Sequence, residues 1–181
     1  MTVGCEGGDA FTPLGGAQKH VRLLFDREQL LYDVGNLAYT ESDVMPEDAE
    51  HSRHVTADVT QAGNVDRVTR VLDLVHADAI EVLYPYTRSE AGVCHELRDD
   101  LRERQTYEID MYVPDSFSDT TAHVLEQLIH EWMVAAALGE WLSITNAAAA
   151  RKWKDRAAEM RREVMSRKNT RGVLRRRMHP F

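Results

Sequence analysis

Residues 122–160, AHVLEQLIHEWMVAAALGEWLSITNAAAARKWKDRAAEM, carry the strongest helical signal in the chain and decide its fold class. From Thr121 onward, the polar residues His123, Glu126, Gln127, His130 and Glu131 recur at three- and four-residue spacing. They draw one narrow polar stripe along an otherwise apolar helix. Met133–Gly139 then has no polar side chain, and a helix that is apolar all round is buried all round. With charges at both ends and a length near the minimum for a bilayer, the segment does not read as a membrane span. Ser143-Ile144-Thr145-Asn146 breaks the pattern and opens a second helix, with Asn146 or Thr145 as its N-cap. The predicted unit is an αα-hairpin.

Working outward, 181 residues fit one ordinary domain with room for a substantial core. The N-terminal MTVGCEGGDAFTPLGG lacks the basic and apolar regions of a signal peptide, so the expected location is the cytoplasm in which the chain is made. Cys5 and Cys94 have no CxxC partner and read as reduced thiols. The net charge of −8 conceals an asymmetry. Residues 151–181 carry twelve Lys/Arg against three acids, a balance of +9, whereas residues 1–150 carry ten against twenty-seven, a balance of −17. That pattern describes a basic arm on an acidic body.

The remaining elements follow from periodicity and breakers. Residues 1–18 are Gly-rich and read as a loose N-terminal arm. A short strand is expected at 20–25, followed by Asp26 and Gln29 at capping-box spacing. A helix over 27–44 would bury Leu30, Leu31, Val34, Leu37 and Ala38, with Gly35 costing about 1 kcal/mol relative to alanine. Met45-Pro46 ends it. Residues 46–62 read as an acidic loop with an extended piece near Val55. A helix from Gly63-Asn64 to Tyr84 carries Val65, Val68, Val71, Leu72, Val75, Ala79, Val82 and Leu83 on its apolar face, and Pro85 stops it. Residues 86–105 are compatible with either a strand or a helical turn. Tyr107, Ile109, Met111 and Val113 alternate with Glu108, Asp110 and Tyr112, as in a half-buried strand closed by Pro114. Ser116 or Ser118 then caps the central helix, and Ala149, Trp153, Ala157, Met160 and Val164 face inward on the second arm of the hairpin. The expected fold is mainly α (α+β): a four-helix bundle-like core with a small antiparallel sheet of two or three strands, both helices that follow strands emerging from the same side. Residues 19–167 form the domain and 168–181 a basic C-terminal tail.

Candidate chemistry is sparse. His51 and His54 are three apart in a polar loop with no further ligands nearby. His123, Glu126 and His130 share a helix face, but a di-metal carboxylate bundle needs Glu-x-x-His on two helices, and 147–167 offers none. Cys94 and His95 would point to opposite faces of a strand. No G-x-S-x-G, phosphate-binding loop or dinucleotide fingerprint occurs. The expectation is a protein that is not an enzyme and uses no metal or cofactor. Leu128, Trp132, Leu138, Trp141 and Trp153 are the predicted core hub, with Trp141 and Trp153 packing across the hairpin turn. The feature that points to a partner is the tail: Arg171, Arg175, Arg176 and Arg177 are followed by His179 and Phe181. A neighbouring copy in a ring-like homo-oligomer or a nucleic-acid backbone would fit it, and the acidic body favours the former.

The stretches LLFDREQLLYDVGNLAY, GNVDRVTRVLDL, TYEIDMYVPDSFS, LIHEWMVAAALGEWLSITN and the terminal RRRMHPF together resemble small uncharacterised proteins from the structural gene blocks of tailed phages and prophages of gut bacteria. The resemblance spans roughly residues 20–181, without the 46–62 and 86–105 loops. It implies a head–tail connector, neck or tail-completion protein that contacts copies of itself and neighbouring virion proteins, made in the bacterial host cytoplasm and then carried in the virion. It supplies no catalytic residue to carry over.

Overall fold

The computed structural model describes residues 18–46, 49–87 and 104–169. Its two strands form one antiparallel ribbon, β1 (Gln18–Asp26) beside β2 (Thr106–Pro114). The register pairs Val21 with Met111, Leu23 with Ile109 and Phe25 with Tyr107, so the apolar alternation of both strands falls on one face. Tyr107, Ile109, Met111 and Val113 are buried there. On the outer face Arg22 sits opposite Asp110, an opposite-charge cross-strand pair, and its Nε donates to Asp110 Oδ1 at 2.8 Å. His20 lies 2.7 Å from the same carboxylate oxygen. Hydrogen bonds from Arg22 and then from His20 hold Asp110 below the usual carboxylate range.

Each strand runs into a helix. Asp26 caps α1 (Arg27–Asp43), its Oδ1 accepting from the Gln29 amide at 3.1 Å. The capping box is only half formed, because the Gln29 side chain turns along the helix to donate to Asp33. Leu30, Val34 and Ala38 are buried, while Leu31 and Leu37 are partly buried against the core. The helices after β1 and β2 do not emerge from the same side. Gln18 pairs with Pro114, so the antiparallel register sends them from opposite ends of the ribbon.

The expected loop at 46–62 contains a helix, α2 (Glu50–Ala57), and a 3-10 turn at Asp58–Thr60. Tertiary contacts override weak local propensity here. Thr56 and Val59 are buried. The Thr56 carbonyl, left without an intrahelical partner by its place in the last turn, accepts from Trp141 Nε1 at 2.9 Å. Arg53 also reaches back to the Ser42 carbonyl. The extended piece expected near Val55 is therefore helical. Gly35 finds its reason in the same packing: a Cβ there would lie 2.7 Å from Thr60 Cγ2.

α3 (Ala62–Val82) follows the predicted apolar periodicity and ends before a cis Tyr84–Pro85 peptide. The hairpin consists of α4 (Asp119–Thr145) and α5 (Ala147–Lys168). Ser118 is the N-cap residue of α4 but makes no side-chain cap bond; Lys19 instead pairs with Asp119 in the first turn at 2.6 Å. Asn146 caps α5, its side chain accepting from the Ala149 amide at 3.2 Å. α5 extends one residue past the expected end of the domain.

α4 is the centre of the molecule. Leu125, Ile129, Met133, Leu138 and Leu142 are completely buried along it, and burying each such side chain contributes roughly 1.5–3 kcal/mol. Within Met133–Gly139 only Ala136 is not fully buried, so the all-apolar run is enclosed by α1, α2, α3 and α5. α5 approaches closely at Gly139, where a Cβ would lie 3.1 Å from the Lys154 backbone nitrogen. The fold is mainly α with a small two-stranded antiparallel sheet, as the periodicities predict. No helix among the described residues is long and apolar enough to cross a membrane.

Candidate functional site: an acidic groove beside the central helix

The polar stripe of α4 is not covered by any neighbouring helix along its full width. It forms one wall of an open cavity of about 530 Å³ whose other wall is the β1–α1 junction. Leu24, Phe25, Asp26 and Gln29 line the junction side; Glu126, Gln127, His130 and Glu131 line the α4 side. Strand alternation places Leu24 on the solvent face, 51% exposed, at the rim of the groove. The chain must turn at Asp26 to start α1, which brings its carboxylate to the same mouth.

The charges here are mostly of one sign. Asp26, Glu126 and Glu131 line the cavity, and no lysine or arginine among the described residues does. Asp26 spends one oxygen on the α1 cap. Glu126 lies 3.6 Å from His123, one turn earlier on α4. Glu131 is 4.0 Å from Arg156 on α5. His130 turns into the protein wall, where its Nε2 lies 2.9 Å from Asp33 Oδ2, the carboxylate that Gln29 also binds. The Gln29–Asp33–His130 chain fixes the spacing between α1 and α4 and leaves the glutamates facing outward. Such a groove is suited to a cationic, partly apolar segment: carboxylates at the rim and the exposed Leu24 side chain as its apolar surface.

The histidines and glutamate singled out from the sequence separate in the structure. His123 pairs with Glu126, whereas His130 pairs with Asp33, so the three do not converge. His51 and His54 are exposed on α2. Among the described residues no group of three or more His, Cys, Asp or Glu side chains could hold a metal ion. The predicted tail contacts Arg171, Arg175, Arg176, Arg177, His179 and Phe181 lie outside the described residues, as do Cys5, Cys94 and His95.

Of the predicted hub, Trp132, Leu138 and Trp141 are buried, and Leu128 and Trp153 are packed against them. Trp141 and Trp153 make no ring–ring contact among the described residues. Their N–H groups serve different neighbours, Trp141 the α2 carbonyl and Trp153 the Glu41 carboxylate of α1 at 2.9 Å. The indoles therefore tie the hairpin to the first half of the chain rather than to each other.

A second polar cluster lies beneath the ribbon and was not foreseen. His76, on the buried face of α3, is hydrogen-bonded to the Glu108 carbonyl at 2.9 Å, and burial lowers its pKa. Tyr107 is fully buried, with no hydrogen-bond partner for its hydroxyl among the described residues, and burial, reinforced by the nearby Asp73 carboxylate, pushes its pKa up. Arg27 reaches Thr69 from the start of α1 at 3.1 Å. The available signal was His76 itself, since the spacing of Val68, Leu72, Val75 and Ala79 places it beside the inward face of this helix. His76, Tyr107 and Thr69 are buried in this cluster, which has the character of a packing device. Comparison with known protein families, curated proteins and solved structures finds no match to this chain.

Proposed function

We propose that this chain is a non-enzymatic structural adaptor that works through subunit contacts, in the manner of the head–tail connector, neck or tail-completion proteins of tailed phages that its sequence resembles. The observation that carries this reading is the charge division: a +9 segment at 151–181 and a −17 body over 1–150. The acidic groove supplies a surface of opposite sign on the body. α5 supplies a rigid support for the arm, because Lys168 in its last turn donates to the Val82 and Tyr84 carbonyls at the end of α3. An element fixed in this way can present the following basic segment to a neighbouring copy, and a heterologous contact of this type closes into a ring when its rotation permits.

The test is the mass of the full chain by light scattering, across concentration and in the presence of neighbouring virion proteins. A discrete oligomer or a complex with such a protein supports the proposal; a persistent monomer that binds none of them overturns it. Arg175-Arg176-Arg177 also favours a second reading, in which the arm contacts nucleic acid. That contact would be steeply salt-dependent. A low-salt mobility shift abolished by reversing these three charges would support it, and the absence of any shift would remove it.

A further inference from the structure

We infer that the outward face of α1 receives the outward face of α5 from a second copy of this chain, in a head-to-tail contact. This rests on the reading of the protein as an adaptor that works through subunit contacts, and it names the two surfaces that meet. The groove beside α4 has no part in it.

The α1 face is built from Glu28, Tyr32, Asn36, Tyr39 and Asp43, all exposed. At about 100° per residue they fall within an arc of about 80°. Tyr32 and Tyr39 are 66% and 63% exposed, and neither hydroxyl has a hydrogen-bond partner among the described residues. One exposed tyrosine is ordinary, but two on one helix face, about 10 Å apart, give the aromatic surface that protein interfaces favour. Carboxylates close both ends of the stripe. Asp43 lies 3.3 Å from Arg53, yet 69% of its side chain stays exposed.

The α5 face is built from Arg151, Asp155, Ala158, Arg162 and Ser166, again all exposed. Elsewhere on this helix Lys152, Lys154, Arg156, Arg161 and Arg167 are held in ion pairs. Arg151 and Arg162 have no ion-pair partner among the described residues, and both fall on this one face.

The two stripes match in spacing. From Asp43 back to Glu28 the steps are four, three, four and four residues, and from Arg151 on to Ser166 they are the same. Laid antiparallel, Arg151 meets Asp43 and Asp155 meets the Tyr39 hydroxyl, which donates to it. Ala158 meets Asn36, where its small side chain lets the helices approach. Arg162 meets the Tyr32 ring, a cation–π geometry, with Glu28 one turn beyond within reach of its guanidinium. A parallel arrangement about the same centre would set Asp155 against Asp33. Two copies of α1 laid face to face would stack Tyr32 on Tyr39 but set Glu28 against Asp43, like charge on like. Complementarity therefore selects α5 as the occupant. Because the two faces belong to different helices, the contact is heterologous and repeats from copy to copy.

The experiment is disulfide trapping between two full-length proteins, both carrying Cys5→Ser and Cys94→Ser. One bears Asn36→Cys and the other Ala158→Cys, so that their joint product forms only between copies. The control replaces the second protein by one bearing Ala77→Cys, on the exposed side of α3. At micromolar protein and low salt, the α1–α5 pair should close at least about tenfold faster than the control. Glu28→Lys with Asp43→Lys in the first protein should remove that advantage, and Arg151→Glu with Arg162→Glu in the second should restore it. Tyr32→Ser with Tyr39→Ser, at exposed positions that the fold does not need, should slow closure by a similar factor. Equal rates for the α1–α5 and control pairs would overturn the inference. Homodimers of the Asn36→Cys protein forming as fast as the mixed product would overturn it too, in favour of α1 pairing with itself. An oligomer by light scattering without the trapping advantage would refute this contact and leave the adaptor reading standing; the advantage in a chain that is monomeric at every concentration and binds no virion protein would do the reverse.

Discussion

Replacing Gly139 by alanine should destabilise the protein, although the substitution removes a glycine from a helix interior. In isolation that change gains about 1 kcal/mol of helix propensity. The structure opposes it with contact: a Cβ at Gly139 would lie 3.1 Å from both the Lys154 Cγ and the Lys154 backbone nitrogen, and 3.4 Å from the Trp153 carbonyl carbon. Favourable separations between such atoms are about 3.5–4.0 Å. Lys154 Cγ can swing away, but the backbone nitrogen moves only if α5 moves. Shifting a packed helix by about half an ångström falls within overpacking, which costs typically about 1–3 kcal/mol. The net expectation is a loss of up to about 2 kcal/mol for alanine, and a larger loss for Gly139→Val, which adds two γ-carbons and a β-branch. Gly63 in the first turn of α3 is the internal control, since a Cβ there meets nothing within 4 Å. Gly63→Ala should stabilise the protein by a few tenths to about 1 kcal/mol. Urea unfolding followed by tryptophan fluorescence measures all three variants at constant m-value. A Gly139→Ala variant that gains as much stability as Gly63→Ala would show that α4 and α5 do not approach closely at this point, and the reasoning would fail.

Other perturbations probe separate contacts. Trp141→Phe leaves the Thr56 carbonyl without its partner, so it should cost about 1–3 kcal/mol and raise amide exchange selectively in α2; unchanged exchange there would contradict the anchoring role. Tyr107→Phe removes a buried hydroxyl that has no hydrogen-bond partner among the described residues, so stability should hold or rise, and a loss above about 1 kcal/mol would mean that the hydroxyl is satisfied. His76 is kept neutral by burial, with its folded pKa below the ordinary value of 6.5. The unfolded state then binds the proton more readily, so this contribution is present in full above about pH 6.5 and is lost as the pH falls from there through the folded value. His76→Gln should flatten that part of the urea-midpoint profile, and an unaltered profile would assign the acid sensitivity to other groups.

The elements legible in the sequence are those whose hydrophobic period needs no partner to interpret. Tyr107, Ile109, Met111 and Val113 declare a strand by alternation, and the Val68–Leu72–Val75–Ala79 face declares α3. The Met133–Gly139 run predicts enclosure because no rotation of that helix exposes a polar side. α2 escaped because its helicity is conditional on tertiary contacts: the Thr56 carbonyl is capped by Trp141, eighty-five residues away. The groove was half legible. Its α4 wall is the polar stripe at His123, Glu126, Gln127, His130 and Glu131, but spacing alone did not reveal that Asp33 would take His130 away from Glu126. Nor could it show that the turn at Leu24–Asp26 supplies the opposite wall, which depends on the ribbon docking beside α4. Gly35 read as a defect and proved to be a point of close approach to Thr60.

The proposed pairing of the basic segment with the acidic body of a neighbouring copy meets its most direct test in a charge-reversal cycle read by the mass of the full chain. Four proteins are compared at low and at high salt: wild type, Glu126→Lys/Glu131→Lys, Arg175→Glu/Arg176→Glu/Arg177→Glu, and the combination of both. The adaptor reading predicts a salt-sensitive oligomer for the wild type, loss of that oligomer in each singly reversed protein, and its recovery in the doubly reversed one, because like signs face each other only in the single reversals. A doubly reversed protein no more assembled than its parents, or single reversals that assemble like wild type, would contradict it.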